Sequence, residues 1–363
     1  LIKRCGVNFL RVPFNSRLFI DDNHTGIYRE EGFQAFQTLL DLCEKNEIFV
    51  MPDLHTTPGG QNPDWHSDNR TGYTQFWEFE VFRKQIVSLW GEIARRFSQY
   101  HYLLGYDILN EPAMASTDAM NGFYQAVTCA IRQHDKNHAI VLEGDMFAMD
   151  FSALAVPKDD NIILSFHYYP TVWHPDLLAK DYGREKRLQA LDEGLSRLVF
   201  IRNTFSLPVI CGEAGYDLDK SDMAFSLALL EDTLSLFHKH QVGYAIWAYK
   251  DADFMGMVYP GSTSSWMRLA ASIRKQWTHY REMDQANRLI AQMGDAFGGI
   301  SDALAYTLQF RLRGILYELQ REKILKPILS AIPPEEILSL PDAWQLKNCH
   351  VHEDYFALRS RFA

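Results

Sequence analysis

Short apolar and β-branched runs alternate along this chain with longer stretches in which apolar positions recur every three or four residues. The short runs read as strands: GVNFLRVPF (6–14), EIFVMPDLH (47–55), LLGYDILNE (103–111), AIVLEGD (139–145), IILSFHYY (162–169), LPVICGEAG (207–215) and GYAIWAYKD (243–251). Between them lie amphipathic helices, among them EGFQAFQTLLDLCEKN, VFRKQIVSLWGEIARRFSQ and DMAFSLALLEDTLSLFHKHQ. Strand–helix alternation implies βαβ units, parallel pairing and right-handed crossovers. Seven such units over about 250 residues favour an α/β fold of the (β/α)8 TIM-barrel type. A doubly wound nucleotide-binding sheet would show GxGxxG or a Walker loop after an early strand, and the chain has neither. The strand count is one short of eight, so the first barrel strand is expected upstream of Leu1, with LIKRCG as the end of the first helix. An eighth parallel strand drawn from residues 1–363 would overturn that expectation.

After the last strand comes a loop, ADFMGMVYPGSTSS, and then the helix WMRLAASIRKQWTHYREMDQANRLIAQM. Further on, SDALAYTLQFRLRGILYELQREKILKPIL keeps helical period and PPEEILSLPDAW is punctuated by proline, with no strand signal. The chain therefore divides into a barrel over 1–295, truncated at its N-terminus, and a helical C-terminal extension over 296–363.

Composition narrows the partners. Hydrophobic residues make up 47% and charged residues 23%, the balance of a globular domain. Net charge is −10 without a basic stripe, which argues against nucleic acid. No apolar run approaches the roughly 18 residues a membrane helix needs. The five cysteines are scattered and lack CxxC spacing, so they read as buried free thiols. The opening residues carry no signal peptide, which favours the cytoplasm; nothing in the sequence bears on oligomeric state.

In a β/α barrel the chemistry collects where the strands end at their C-termini. Those ends carry Arg11, Asp53 with His55, Asn110 with Glu111, Glu143 with Asp145, His167 with Tyr169, Glu213, and Trp247 with Lys250 and Asp251. Burying an unpaired carboxylate costs several kcal/mol, so carboxylates gathered at one mouth argue for a working site. Glu111 and Glu213 stand on strands that face each other across the barrel. Two converging carboxylates beside aromatics suit glycoside hydrolysis, with one as acid and the other as nucleophile, kept apart in pKa by their surroundings. Arg11 and the Tyr169 hydroxyl are candidates to hold Glu213 ionised.

In GVNFLRVPF, PDLHTTPGGQN, GYDILNEP, SFHYYP, VICGEAG and AIWAYKD, in that order from about residue 6 to 252, the chain resembles glycoside hydrolase family 5, the cellulase-like retaining β-glycosidases. The resemblance implies double displacement on β-linked glucose-type oligo- or polysaccharides, with Glu111 as general acid/base and Glu213 as nucleophile. It also implies that Asn110 bonds the sugar 2-hydroxyl, that Arg11 and Tyr169 orient the nucleophile, and that His55, His167 and Trp247 line the sugar subsite. No metal or organic cofactor is implied. An endoglucanase-like enzyme is the first reading; an exo-acting β-glucosidase or exoglucanase and a non-catalytic carbohydrate-binding relative are the alternatives.

Several positions keep a plainer reading. His55 and His167 also fit as core histidines, Arg11 as a structural bridge and Trp247 as core packing. Glu143 and Asp145 fit a supporting role better than a catalytic one. The polar stretch HTTPGGQNPDWHSDNRTGY (55–73) is long for a βα loop. It reads either as a subsite wall, with Trp65 stacking on sugar and Gln61, Asn62, His66 or Asp68 bonding hydroxyls, or as a self-packed loop. His350-Val351-His352, an HxH pair, reads as tail surface far from any strand and not as a metal site.

Overall fold

The structure is a computed structural model that describes residues 1–363 apart from 22–23, 25, 180–181, 219–221, 253, 278–281 and 363. Seven strands form one sheet in chain order: β1 (Phe9–Asn15), β2 (Phe49–Thr56), β3 (Gly105–Asp107), β4 (Ala139–Glu143), β5 (Ile162–Tyr168), β6 (Val209–Ala214) and β7 (Gly243–Ile246). Every neighbouring pair is parallel. The central strands are apolar on both faces because helices cover them outside and other strands face them inside. Thus β4 and β6 are buried at every residue. Outer helices such as Glu30–Lys45, Glu80–Phe97 and Thr117–Arg132 turn Phe33, Phe36, Leu89, Trp90 and Phe123 onto the sheet.

Each expected strand is present, shorter at one or both ends than its apolar run. The third shortens most, since its ladder stops at Asp107 and the chain bends away to carry Asn110 and Glu111 over the mouth. No eighth parallel strand stands among the described residues. Between β1 and β7, which do not pair, lies a cavity of about 330 Å³ lined by Leu10, Arg11, Tyr244, Ile246 and Tyr355, among others. Residues of both strands are only half buried there, as expected for edges without a hydrogen-bonded neighbour.

The C-terminal region is mainly helical, with one correction to the sequence reading. The loop after β7 contains strand β8 (Val258–Pro260), which pairs antiparallel with β9 (Cys349–Val351) from the tail. The HxH pair therefore begins in a strand: His350 faces Tyr259 in the ladder. A three-residue ladder with Pro at one end leaves too little alternation for sequence to show it. The last helix, Glu353–Arg361, buries Tyr355 and Leu358 against the turn Ile2–Cys5 and the helix Met223–Lys239. The cysteines are all free, but only Cys5, Cys43 and Cys211 are buried; Cys129 is exposed.

Candidate active site

The mouth is organised around Arg11. Its side chain is 3% exposed and sits among four carboxylates contributed by four other strands. Nε lies 2.7 Å from Asp107 Oδ2, Nη1 2.5 Å from Glu213 Oε1, and Nη2 within 3.1 Å of Asp53 and 3.0 Å of Glu143. Nη2 also donates to Asn110 Oδ1 at 2.9 Å. A planar fork spreads five N–H donors over three nitrogens, whereas a lysine ammonium offers three from a single point. Burial opposes its charge, yet the surrounding carboxylates outweigh burial and hold Arg11 firmly protonated. Burial, together with Glu143 and Asp53, pushes the Asp107 carboxyl well up in spite of Arg11.

Glu213, at the end of β6, is held on both oxygens: Oε1 by Arg11, and Oε2 by the Tyr169 hydroxyl, which donates at 2.9 Å. Burial and the facing Glu213 charge push Tyr169 well up, so this hydroxyl keeps its proton and remains a donor. Glu111 has a different neighbourhood, with Oε1 2.6 Å from His167 Nδ1 and Oε2 2.8 Å from His66 Nε2. Burial raises Glu111, but the bonds and charge of His167 and then His66 outweigh it and bring its carboxyl below the usual range. The second nitrogen of His167 lies 3.0 Å from Glu143. Burial works against a charged His167, but Glu143, Glu213 and Glu111 overcome it and raise the ring well above its ordinary value. An oxygen of Glu111 and an oxygen of Glu213 come within 4.8 Å of each other.

The backbone at Glu111 is unusual. Its φ is +46°, a left-handed conformation that a non-glycine residue adopts at a cost of about 1–3 kcal/mol. Three groups hold it there. Its N–H donates to Glu143 Oε2 at 2.6 Å, Asn62 Nδ2 donates to its carbonyl at 2.9 Å, and Gln61 Nε2 donates to the preceding carbonyl of Asn110 at 2.9 Å.

That network corrects two expectations. Gln61 and Asn62, expected to bond sugar hydroxyls, are wholly buried and hold the backbone beneath Glu111. Gln61 also reaches the carbonyl of His55 and accepts from Thr57. Trp65 stands on the rim, 66% exposed, edge-on to His66. Asp68 is paired with Arg17. His55 is bound to Asp53 at 2.8 Å and stacks on Trp247, with ring centres 5.5 Å apart and planes 14° apart. Asn110 is wholly buried, and its Nδ2 has no hydrogen-bond partner among the described residues.

Arg11, His55, Asn110, Glu111, His167, Tyr169, Glu213 and Trp247 thus gather around one cleft. Sequence reasoning missed Asp107 and the bond from His66 to Glu111. Asp107 carried a usable signal: an acid inside the buried run GYDIL demands a cationic partner, and Arg11 is the cation the barrel can supply. For His66 there was none, because a loop histidine acquires its neighbour only through folding.

A barrel with two opposed, unequally supported glutamates at its mouth is the architecture of a retaining glycoside hydrolase. The chain belongs to glycosyl hydrolase family 5: its residues 1–253 match the family described as Cellulase (glycosyl hydrolase family 5). A β-xylosidase of Phanerodontia chrysosporium is 34% identical, the match covering 74% of this chain and 58% of that protein. Endoglucanase C of Acetivibrio thermocellus is 23% identical over 70% of this chain and 83% of its own length. Among solved structures, the endoglucanase Cel5A of Thermotoga maritima shares the fold at a TM-score of 0.57 and 21% identity, covering 70% of this chain and 82% of that one.

Proposed function

We propose that this protein is a retaining β-glycosidase acting on β-linked glucose-type oligo- or polysaccharides, with Glu213 as nucleophile and Glu111 as acid/base. The observation that carries the reading is that an oxygen of Glu111 lies within 4.8 Å of an oxygen of Glu213. Retaining enzymes hold the two groups about 5–5.5 Å apart, whereas inverting enzymes separate them by about 6.5–9.5 Å to admit a water. In the first step a Glu213 oxygen bonds the anomeric carbon while Glu111 passes its proton to the departing glycosidic oxygen. In the second, a water gives a proton to Glu111, its oxygen bonds the same carbon, and Glu213 leaves. Arg11 and Tyr169 suit the nucleophile because both donate to its ionised form. The unpartnered Nδ2 of Asn110 is a buried donor at the same cleft, well placed for a sugar oxygen. His55 and Trp247 form the flat stack against which a ring can lie.

A second reading concerns mode. The loop bearing Trp65 and His66 is braced by the tail helix Asp302–Gln320, where Arg313 Nη2 lies 3.1 Å from Asp64. Such a wall, together with the relative named a β-xylosidase, favours an exo-acting enzyme on β-glucosides or β-xylosides. Product analysis on cello-oligosaccharides and on aryl β-glucosides and β-xylosides separates the modes. NMR of the first sugar released must show the β-anomer; the α-anomer would refute the nucleophile role. Glu213→Ala is expected to abolish turnover. Glu111→Ala is expected to lose about 10²–10⁴-fold on unactivated substrates; azide, which needs no deprotonation to attack the glycosyl-enzyme, is expected to restore turnover only on aryl glycosides with an activated leaving group. Activity surviving Glu213→Ala would overturn the reading.

A further inference from the structure

Glu111 raises a difficulty that the two-step scheme leaves open. Its carboxyl must deliver a proton, yet the neighbouring imidazoles hold it below the usual carboxylate range. His66, on the short turn Trp65–Ser67, has its Nε2 2.8 Å from Glu111 Oε2. We propose that Glu111 and His66 hold one proton in common, and that His66 is the positioning residue that keeps this proton available to Glu111 at neutral pH. The inference rests on the acid/base assignment of Glu111 made above.

The geometry around Asn62 supports a shared proton. Asn62 Oδ1 accepts from the Asp64 N–H at 3.0 Å, and its Nδ2 donates to the Glu111 carbonyl at 2.9 Å. These two bonds fix which end of the amide is nitrogen, because the flipped amide would set donor against donor and acceptor against acceptor. The amide nitrogen therefore faces His66 Nε2, at 3.0 Å. Nε2 accepts that N–H only when it carries no proton, which places the shared proton on Glu111 Oε2. When Nε2 is protonated it donates to Glu111, and the Asn62 amide is left with the carbonyl alone. Asn62 thus offsets part of the ion pair's advantage and brings the two placements closer in energy.

The charges that bear on His66 agree. Burial alone would keep the ring neutral, but Glu111 from the segment after β3, Asp64 beside its own turn and Glu213 from β6 outweigh it and raise its proton affinity. Asp64 is itself held by Arg313. The other ionisable ring in contact, His55 from β2, has its centre 6.3 Å away, and Phe147 at 6.1 Å brings no charge. During the first displacement the proton leaves with the aglycone oxygen. In the second, the attacking water returns one proton to the pair, so the cycle balances.

Two measurements test this. In His66→Gln the hydrogen bonds can persist but the side chain no longer titrates. The basic limb of kcat/KM should move down by about one to two pH units, the gap between an imidazole and a carboxylate. For an alkyl or cellobiosyl leaving group, which needs the proton, kcat/KM at neutral pH should fall about 10²-fold. For a dinitrophenyl leaving group, which does not, it should stay within about 3-fold. A basic limb that stays or moves up, or equal losses on both leaving groups, would overturn the inference. The second measurement needs no change at His66: histidine NMR should show the His66 titration falling toward an ordinary imidazole in Glu111→Gln. An unmoved titration would overturn the shared proton. If the wild-type protein hydrolysed no glycoside, the functional reading would fail while the NMR coupling still reported on the pair.

Discussion

Arg11 shows how one residue decides the state of several others. Four carboxylates converge on it, and without its charge they would lose the cation that reaches all of them. Arg11→Lys keeps the charge but loses the fork. We expect it to unfold about 3–5 kcal/mol more easily in urea and to lose most activity; near-normal turnover would show that point charge alone suffices. At this scale the sequence revealed the side chains whose chemistry is unusual for a strand end: Glu111, Glu213, Arg11, His167 and Tyr169. It misassigned Gln61 and Asn62, because a polar loop residue looks the same whether its amide meets a ligand or a backbone carbonyl. Only their complete burial and their bonds beneath Glu111 distinguish the two.

Among the elements, the polar loop over residues 55–73 is held from within and from the tail. It is internally packed, with Asn69 donating to the carbonyls of Asn62 and Tyr73 and accepting from the N–H groups of Thr71 and Gly72. It also delivers His66 to Glu111. The tail helix Asp302–Gln320 lies on its outer side, so close that a Cβ at Gly314 would sit 2.7 Å from the backbone of Thr71. Arg311 stacks over Tyr73, and Phe310 packs near Phe147. Gly314→Ala should therefore push the tail off the loop, costing about 1–3 kcal/mol and raising KM or lowering kcat. A lower melting temperature with unchanged kinetics would show that the tail only supports the barrel. The helical period of the tail was legible; its seat against the active-site loop was not, since an amphipathic face does not name its partner.

For the molecule as a whole, the buried charges set the pH range of stability. Burial raises Asp135, but bonds from His138 and Tyr106 outweigh it and hold the carboxyl low, as the imidazoles do for Glu111. The unfolded chain binds protons at these groups more tightly. Their stabilisation is therefore complete above their ordinary values of 3.8 and 4.5 and is lost as pH falls through and below them. Asp107, raised by burial, opposes this limb only in part. His167 has the opposite sign: its stabilisation is complete below its ordinary 6.5 and is lost as pH rises above it. Urea-unfolding free energy should therefore decline on both sides of a plateau near pH 5–6.5, with an alkaline slope approaching about 1.4 kcal/mol per pH unit per proton. Stability that keeps rising above pH 7 would contradict a charged His167.

The sequence by itself determined the barrel, the order of its strands and the pair of glutamates, because these follow from local period and from residues too costly to place at a buried strand end without a use. The tertiary structure alone decided that His167 and His66 hold Glu111, whereas Arg11 and Tyr169 lie on Glu213 as the sequence had suggested. It alone placed the tail against the loop that carries His66. Those relations join residues far apart in the chain. A pKa, a bond or a close approach depends on distance in space, which hydrophobic period does not encode.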